Sequence, residues 1–261
     1  MRTMLICHEG DDFDRVGLAA WLGSFSELAG VVVLVETPAQ KRARVRREIR
    51  RVGWLRFLDV VAMRLYQRVA LAGRDRAWTA AALVRMREHY GVPPTVPQLV
   101  AADVNDAAVA VFLRQAAPDI VLARCKQLLK KHLIAIPRVG CFVLHPGICP
   151  EYRNAHGCFW ALSQRDLERV GMTLLKVDAG VDTGPVYGYY SYPFDERHES
   201  HVVIQYRVVL ENLDRLAQRF REIFDRTASV VDTRDRRSGT WGQPWLSRYL
   251  RWQRAAKAAG P

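Results

Sequence analysis

Two residues of this chain have side chains that could move protons at a carbonyl group, and each lies in a loop rich in glycine and proline. His145 is followed by Pro-Gly, and Asp182 lies in the segment Val-Asp-Thr-Gly-Pro. An imidazole and a carboxylate on two loops that can converge supply general acid–base chemistry. The sequence therefore predicts His145 and Asp182 as catalytic residues.

The segments around these loops indicate how they are positioned. Continuous apolar runs at 4–8, 31–35 and 140–144 are separated by helical patterns, which is typical of a parallel sheet. The run 140–144 would deliver His145 at the carboxyl end of a strand, where open α/β sheets bind ligands. The predicted fold class is α/β: a Rossmann-like, mainly parallel sheet with helices on both faces, a basic helical insertion and a short C-terminal tail.

The predicted organisation is one α/β domain at 1–226, with the helical insertion at about 38–98, and a tail at 227–261. Helical patterns within the domain cover 13–28, closed by Gly30, and 200–224. The tail begins with a polar linker. Its last part predicts a short docking helix from three aromatic residues at helical spacing, which are Trp245, Tyr249 and Trp252.

Composition narrows the classes of protein that fit. No stretch approaches the roughly 20 apolar residues of a membrane span, and the first residues turn acidic too early for a secretory signal. We therefore expect a cytoplasmic protein. The five cysteines form no CxxC pair, which favours free thiols. The spacing of His145, Cys149 and His156 matches no common zinc site, so no metal is expected.

The region 144–185 resembles the formyltransferase family, which includes glycinamide ribonucleotide, methionyl-tRNA and sugar-nucleotide formyltransferases. The resemblance covers about 99–190 well and extends loosely to the N-terminal strand-helix-strand. It is carried by motifs that occur in the family's order and spacing: His145-Pro146-Gly147, Pro150-Glu151-Tyr152-Arg153-Asn154, Trp160-Ala161, Gly171-Met172-Thr173 and Asp178-Ala179-Gly180-Val181-Asp182-Thr183-Gly184.

The resemblance implies a reaction and a set of site residues. In this family 10-formyltetrahydrofolate donates a formyl group to an amine. His145 would handle the tetrahedral intermediate, and Asp182 would orient it and assist proton transfer. The folate pocket would lie between two loops, with its residues being Lys126, Gln127 and Leu128 on one side and Val177 and Asp178 on the other.

One position departs from the family pattern. The family's asparagine, two residues before the histidine, donates to the formyl oxygen, and Val143 stands there instead. Loss of one such donor typically lowers the rate about 10²–10³-fold. Three explanations stay open: another donor (Asn154, His156 or a backbone amide of 146–149), a different mode of binding, or a pocket that binds without catalysis.

The acceptor is inferred from the loop after the first strand. That loop reads His-Glu-Gly-Asp-Asp at 8–12 and would repel a phosphate, whereas an amine suits its carboxylates. An amino-sugar is the preferred acceptor, by analogy with the family. The alternatives are a methionyl-tRNA formyltransferase-like enzyme and a catalytically impaired binding protein on the same scaffold.

The basic insertion permits three interpretations. Seven of the eleven residues at 41–51 are Lys or Arg, and apolar residues follow at near-helical spacing as far as Val69. The segment 41–69 could be a solvated helix packed on the sheet, a face for an anionic membrane surface, or an RNA-binding element. The sequence also leaves a homodimer open.

Overall fold

The computed structural model describes residues 1–258, and they fold around one seven-stranded sheet. The strands are β1 Arg2–His8, β2 Glu27–Leu34, β3 Gln98–Ala101, β4 Ile120–Ala123, β5 Gly140–His145, β6 Arg153–Asn154, β7 Met172–Lys176, β8 Val186–Tyr190 and β9 Thr240–Trp241. Of these, β6 and β9 form a separate two-stranded sheet. The helices are α1 Ala19–Phe25, α2 Pro38–Val52, α3 Trp54–Tyr66, α4 Ala72–Tyr90, α5 Ala107–Ala116, α6 Lys131–Ile134, α7 Gly157–Gln164, α8 His201–Leu210, α9 Leu213–Phe224 and α10 Leu246–Ala258.

The order of the strands places the loops that matter. The strand order of the sheet is β3-β2-β1-β4-β5-β7-β8. The first five strands are parallel, and β7 is antiparallel to both of its neighbours, β5 and β8. Because the strand order reverses beside β1, the loops after β1, β4 and β5 open at the same edge. The predicted fold class, a mainly parallel sheet covered by helices, is confirmed.

Both faces of the sheet are buried, so its strands read as continuous apolar runs. One face packs Trp21, Phe142 and Phe220 in a single cluster. The other face packs Ile6, Val121 and further aliphatic side chains beneath α5 and α6. Along β5 the side chains alternate between these faces, and therefore Cys141, Val143 and His145 share one of them.

The insertion and the tail meet in a third apolar cluster. Met63 of α3 packs there with Trp160 of α7 and with Tyr249 and Trp252 of α10. The predicted docking helix is therefore present, although Trp245 lies just before its first residue. The N-terminus of α10 is tied to the insertion, since the Ser247 amide and hydroxyl donate to Asp59 of α3.

Two predicted helix boundaries are wrong. The helix predicted at 13–28 ends at Phe25, and Gly30 lies inside β2, where an added Cβ would come within 3.2 Å of the Pro97 carbonyl oxygen. The helix predicted at 200–224 breaks at Asn212. The side-chain amide of that residue donates to the Val208 and Ser191 carbonyls, which turns the backbone out of the helix.

Among residues 1–258, no helix has the length and apolar character needed to cross a bilayer.

Candidate active site

His145 and Asp182 meet at the end of β5. The Nδ1 atom of His145 lies 3.3 Å from Oδ2 of Asp182. The other ring nitrogen, Nε2, lies 2.7 Å from the carbonyl oxygen of Tyr152. The imidazole is 3% exposed, so both of its polar atoms are matched by oxygen atoms away from bulk solvent. The two residues predicted to be catalytic are therefore brought together.

The partners of the ring determine which of its nitrogens remains for a ligand. A carbonyl oxygen can only accept, so Nε2 carries a proton and donates to Tyr152. Nε2 is therefore occupied, and Nδ1 is the ring nitrogen that faces Asp182 and can serve a ligand.

Asp182 reaches His145 on a loop that folds back across the sheet. Lys176, at the end of β7, is paired with Phe142, so the 177–184 loop starts at the far end of β5. Asp182 itself has a positive φ of 51°. Its Oδ2 atom accepts a hydrogen bond of 2.8 Å from the backbone amide of Asn154. The loop that carries Asp182 is thus bonded to the loop that follows His145.

The loop after His145 is closely packed against α7. A Cβ on Gly147 would lie 2.7 Å from Cα of Gly157 and 2.7 Å from the Tyr152 carbonyl oxygen. The Thr173 hydroxyl donates to the Gly147 carbonyl oxygen at 2.6 Å and accepts from the Cys149 amide at 2.9 Å. These contacts hold the Tyr152 carbonyl in place against the imidazole.

Val143 shares a face of the sheet with His145 but offers no hydrogen bond. It is half-buried against a small apolar cluster that contains Cys149, Leu175 and Val186. Of the alternative donors, the Cys149 amide is bonded to Thr173, and the Asn154 side-chain amide donates to the Trp241 carbonyl oxygen.

His156 differs from those candidates because one of its ring nitrogens is unused. Its Nδ1 is buried and has no hydrogen-bond partner among the described residues. Burial and the nearby Lys126 ammonium lower the pKa of His156 to about 4, so its ring is neutral at pH 7. A neutral imidazole retains one N–H donor. The substitute for the family's asparagine remains a prediction, with His156 the candidate whose ring nitrogen is free.

The predicted folate residues lie in the two expected loops. Cys125 and Val177, from opposite loops, both pack on the same apolar cluster. Leu128, in the first of these loops, is half-exposed. The two loops thus present apolar side chains to one another's base. The Lys126 ammonium, close enough to act on His156, suits an anionic part of a ligand.

Two of the predicted folate residues use their side chains to shape the loops. The Gln127 side chain accepts a hydrogen bond of 2.7 Å from the Val104 backbone amide and donates one of 2.9 Å to the Ala102 carbonyl oxygen. The Asp178 carboxylate accepts from the Gly180 amide at 2.9 Å and from the Thr183 hydroxyl at 2.8 Å. These two residues are therefore available to a ligand mainly through their backbone.

A buried polar network below the site was not foreseen. The Arg124 guanidinium donates to Asp14 at 3.0 Å and to the Leu144 carbonyl oxygen, next to His145, at 2.6 Å. Asp11 accepts from the Asp14 amide and from the Tyr206 hydroxyl. Burial raises the pKa of Asp14 to about 7, although Arg124 opposes the shift. The only signal in the sequence was an arginine where the family commonly has small residues.

The tail contributes a strand and an aromatic ring beside the site, and the sequence did not predict these contacts. β9 pairs in parallel with β6, the two-residue strand that contains Asn154. The Trp241 ring stacks on Trp160, with centroids 4.9 Å apart, and its Nε1 donates to the Glu151 carbonyl oxygen at 2.8 Å. A pairing of two-residue strands so far apart in sequence leaves no periodic pattern to detect.

The sequence matches the family described as Formyl transferase over residues 5–212. Because that match covers well over half of the chain, this protein belongs to the formyl transferase family.

Relatives by sequence include methionyl-tRNA formyltransferases. That of Pelobacter propionicus is 32% identical over 148 residues, covering 51% of this chain and 46% of the relative. That of Myxococcus xanthus is 34% identical over 129 residues, covering 49% and 39%. The chain thus matches less than half of the length of each.

The similar solved structures agree in fold. A sugar N-formyltransferase from Shewanella sp. FDAARGOS_354 has a TM-score of 0.57 at 12% identity, covering 98% of this chain and 88% of that one. The phosphoribosylglycinamide formyltransferase of Anaplasma phagocytophilum has a TM-score of 0.55 at 13% identity, covering 91% and 97%. At these identities the likeness concerns the fold alone.

Proposed function

We propose that this protein transfers a formyl group from 10-formyltetrahydrofolate to an amine. The observation that carries the proposal is the buried His145–Asp182 pair, at 3.3 Å, with the Tyr152 carbonyl on the far side of the ring. The apolar side chains of Cys125 and Val177 support a pterin beside that pair. Membership of the formyl transferase family supports the same reaction class.

The geometry suggests how the chain's own groups would serve the reaction. When bound, the folate supplies an activated formyl group. Attack by an amine nitrogen forms the new C–N bond, and it develops negative charge on the formyl oxygen and positive charge on the amine. In this proposal His145 acts as an imidazolium and donates from Nδ1 to that oxygen, because Nε2 donates to Tyr152, while Asp182 accepts a proton from the amine. The bond between the formyl carbon and the donor's nitrogen then breaks, and that nitrogen can take the proton that Asp182 accepted.

An amino-sugar is the acceptor that we propose. The carboxylates of Glu9 and Asp11 lie in the loop after β1 and favour an amine over a phosphate there. The likeness in fold to a sugar N-formyltransferase over nearly the whole chain is consistent with this choice. Formyl product measured by mass spectrometry with free and nucleotide-linked amino-sugars, glycinamide ribonucleotide and methionyl-tRNA would identify the acceptor. Product with methionyl-tRNA alone would overturn the amino-sugar assignment.

The test of the catalytic pair is Asp182→Asn. The substitution removes the carboxylate that faces Nδ1 of His145, and we expect the transfer rate to fall about 10²–10⁴-fold with the fold retained. Asp195→Asn is the matched control, because Asp195 forms a 2.7 Å contact with His198 at the exposed surface. A near-normal rate in Asp182→Asn would refute the proposed role.

Val143 favours a second candidate, a protein that binds reduced folate without transferring the formyl group. The valine removes a donor that the family uses, and no other donor is yet assigned to the formyl oxygen. A rise in Tm with a reduced folate, together with no formyl product for any amine above, would support that candidate. Formyl product from any of these amines would exclude it.

A further inference from the structure

The insertion carries an apolar stripe that the rest of the described chain leaves uncovered. α3 buries one side through Val60 and Met63, which face the core. Its opposite side and the helical turn that follows it hold large apolar side chains spaced so that they share one face. They are Trp54 at 68% exposure, Leu55 at 86%, Leu58 at 62%, Leu65 at 59% and Val69 at 85%.

The helix that packs beside the stripe is rich in cationic side chains. α2 packs against α3, and the segment 41–69 holds ten Lys or Arg residues and two acidic residues. Among residues 1–258, no ion pair involves Arg46, Arg47, Arg50 or Arg68, and all four side chains are exposed. We call the exposed apolar stripe and these four arginines the α2–α3 face.

We propose that the α2–α3 face binds the surface of a lipid bilayer that contains anionic headgroups. An exposed apolar stripe beside a helix rich in exposed cations matches both layers of such an interface, because the stripe can enter the acyl boundary while the guanidiniums contact the headgroups. Long arginine side chains can also bury their stems and keep their charged ends in the headgroup layer. This inference is independent of the proposed function.

The composition of the face argues against two other occupants. A second copy bound through the same face would bring the arginines of both copies together without compensating carboxylates. Single-stranded RNA is usually held by cations interleaved with aromatic rings on which bases stack. Here the stripe offers one exposed indole, Trp54, and otherwise aliphatic side chains.

The face is fixed relative to the site. Arg64 and Glu48 of the insertion lie close enough to His156 to act on its pKa, lowering and raising it respectively. The Arg51 guanidinium packs directly against Gly242, beside the strand that pairs with the loop after His145. Binding to a bilayer through this face would therefore hold the His156 side of the site near the interface.

The experiment is cosedimentation of the full chain with vesicles of phosphatidylcholine, with and without phosphatidylglycerol. We expect binding only with the anionic lipid and weaker binding as salt is raised. Replacing Arg46, Arg47 and Arg50 by Glu should lower the partition coefficient by about 100-fold or more, since each cation near an anionic surface contributes on the order of a fivefold factor.

The apolar part is tested by Leu55→Gln, Leu58→Gln and Leu65→Gln in one variant, which should also abolish binding. Matched controls change exposed residues on other elements: Arg87, Arg114 and Arg237 to Glu, and Val84 and Val111 to Gln. Both controls should bind normally, and circular dichroism should show all variants folded. Absence of binding to anionic vesicles, equal loss in the controls, binding to RNA alone, or a dimer abolished by the leucine changes would each overturn the proposal.

Discussion

At the scale of single residues, the chemistry depends on what surrounds each nitrogen of His145. The Tyr152 carbonyl occupies Nε2 at 2.7 Å, which leaves Nδ1 and Asp182 for a ligand. That carbonyl is held at this distance by a loop in which only glycine fits at 147. The pairing of imidazole and carboxylate could be predicted from residue types alone. The partner of Nε2 could not, because it is a backbone atom.

We predict that Gly147→Ala destabilises the protein and lowers activity. The new Cβ would lie 2.7 Å from backbone atoms of Gly157 and Tyr152, which cannot rotate away. Overpacking of this kind typically costs about 1–3 kcal/mol, and any relief would move the Tyr152 carbonyl away from Nε2. Chemical denaturation measures the cost. Gly10→Ala is the control, because nothing lies within 4 Å of its added Cβ; equal stability of the two variants would contradict the prediction.

At the scale of elements, patterns that repeat were predictable and single contacts were not. β1 and β5 were recognised because both faces of the sheet are buried, and the insertion's helices because their apolar residues recur at helical spacing. The break at Asn212 depends on one side chain that reaches the Ser191 carbonyl, which no periodicity encodes. The pairing of β6 with β9 is of the same kind. Boundaries and the surroundings of the site were therefore the parts that sequence reasoning missed.

One element-scale feature predicts a pH dependence. His201, the first residue of α8, is 1% exposed, and neither ring nitrogen has a hydrogen-bond partner among the described residues. Burial, together with the adjacent His156, lowers the pKa of His201 to about 3. Below the ordinary pKa of 6.5 the unfolded chain binds a proton that the folded chain does not, so stability is lost as the pH falls.

We predict that His201→Phe flattens this acid-side loss. The ring would lie among Phe159 and Tyr249, and the variant should lose up to about 1.4 kcal/mol less stability per pH unit below 6.5 than the parent chain. Asp14, whose pKa is raised to about 7 by burial, acts in the opposite direction in both proteins and cancels in the comparison. Denaturation curves at several pH values measure the difference. His132→Phe, at an exposed site, should leave the profile unchanged; parallel profiles for His201→Phe and the parent would refute the prediction.

At the scale of the whole molecule, side-chain contacts join the insertion to the tail and the tail to the site. Asp59 of the insertion caps α10, Arg56 lies 4.9 Å over the Trp245 ring, and Trp241 stacks against α7. The predicted division into a domain at 1–226 and a tail at 227–261 stays a prediction. The contacts of β9 and α10 show that the described part of the tail is packed against the site.

We predict that Trp241→Ala weakens both the fold and the reaction. The ring stacks between Trp160 and Tyr152, so its removal should cost up to about 3 kcal/mol and loosen the loop whose Asn154 amide binds Asp182. Under the proposed function, kcat should fall more than KM rises. Trp54→Ala removes an indole that is 68% exposed and should change neither the free energy of unfolding nor kcat. Loss of stability without any change in kcat would show that Trp241 contributes to the fold but not to catalysis.

The pairing of β6 with β9 has a consequence for the order in which the fold and the site form during synthesis. Every strand of the main sheet has been synthesised by Tyr190, yet the loop that presents Asn154 to Asp182 waits for a partner strand at Thr240–Trp241. A nascent chain on the ribosome can therefore complete its sheet well before it has a finished site. Under the proposed function, activity should therefore require that residue 241 has left the exit tunnel.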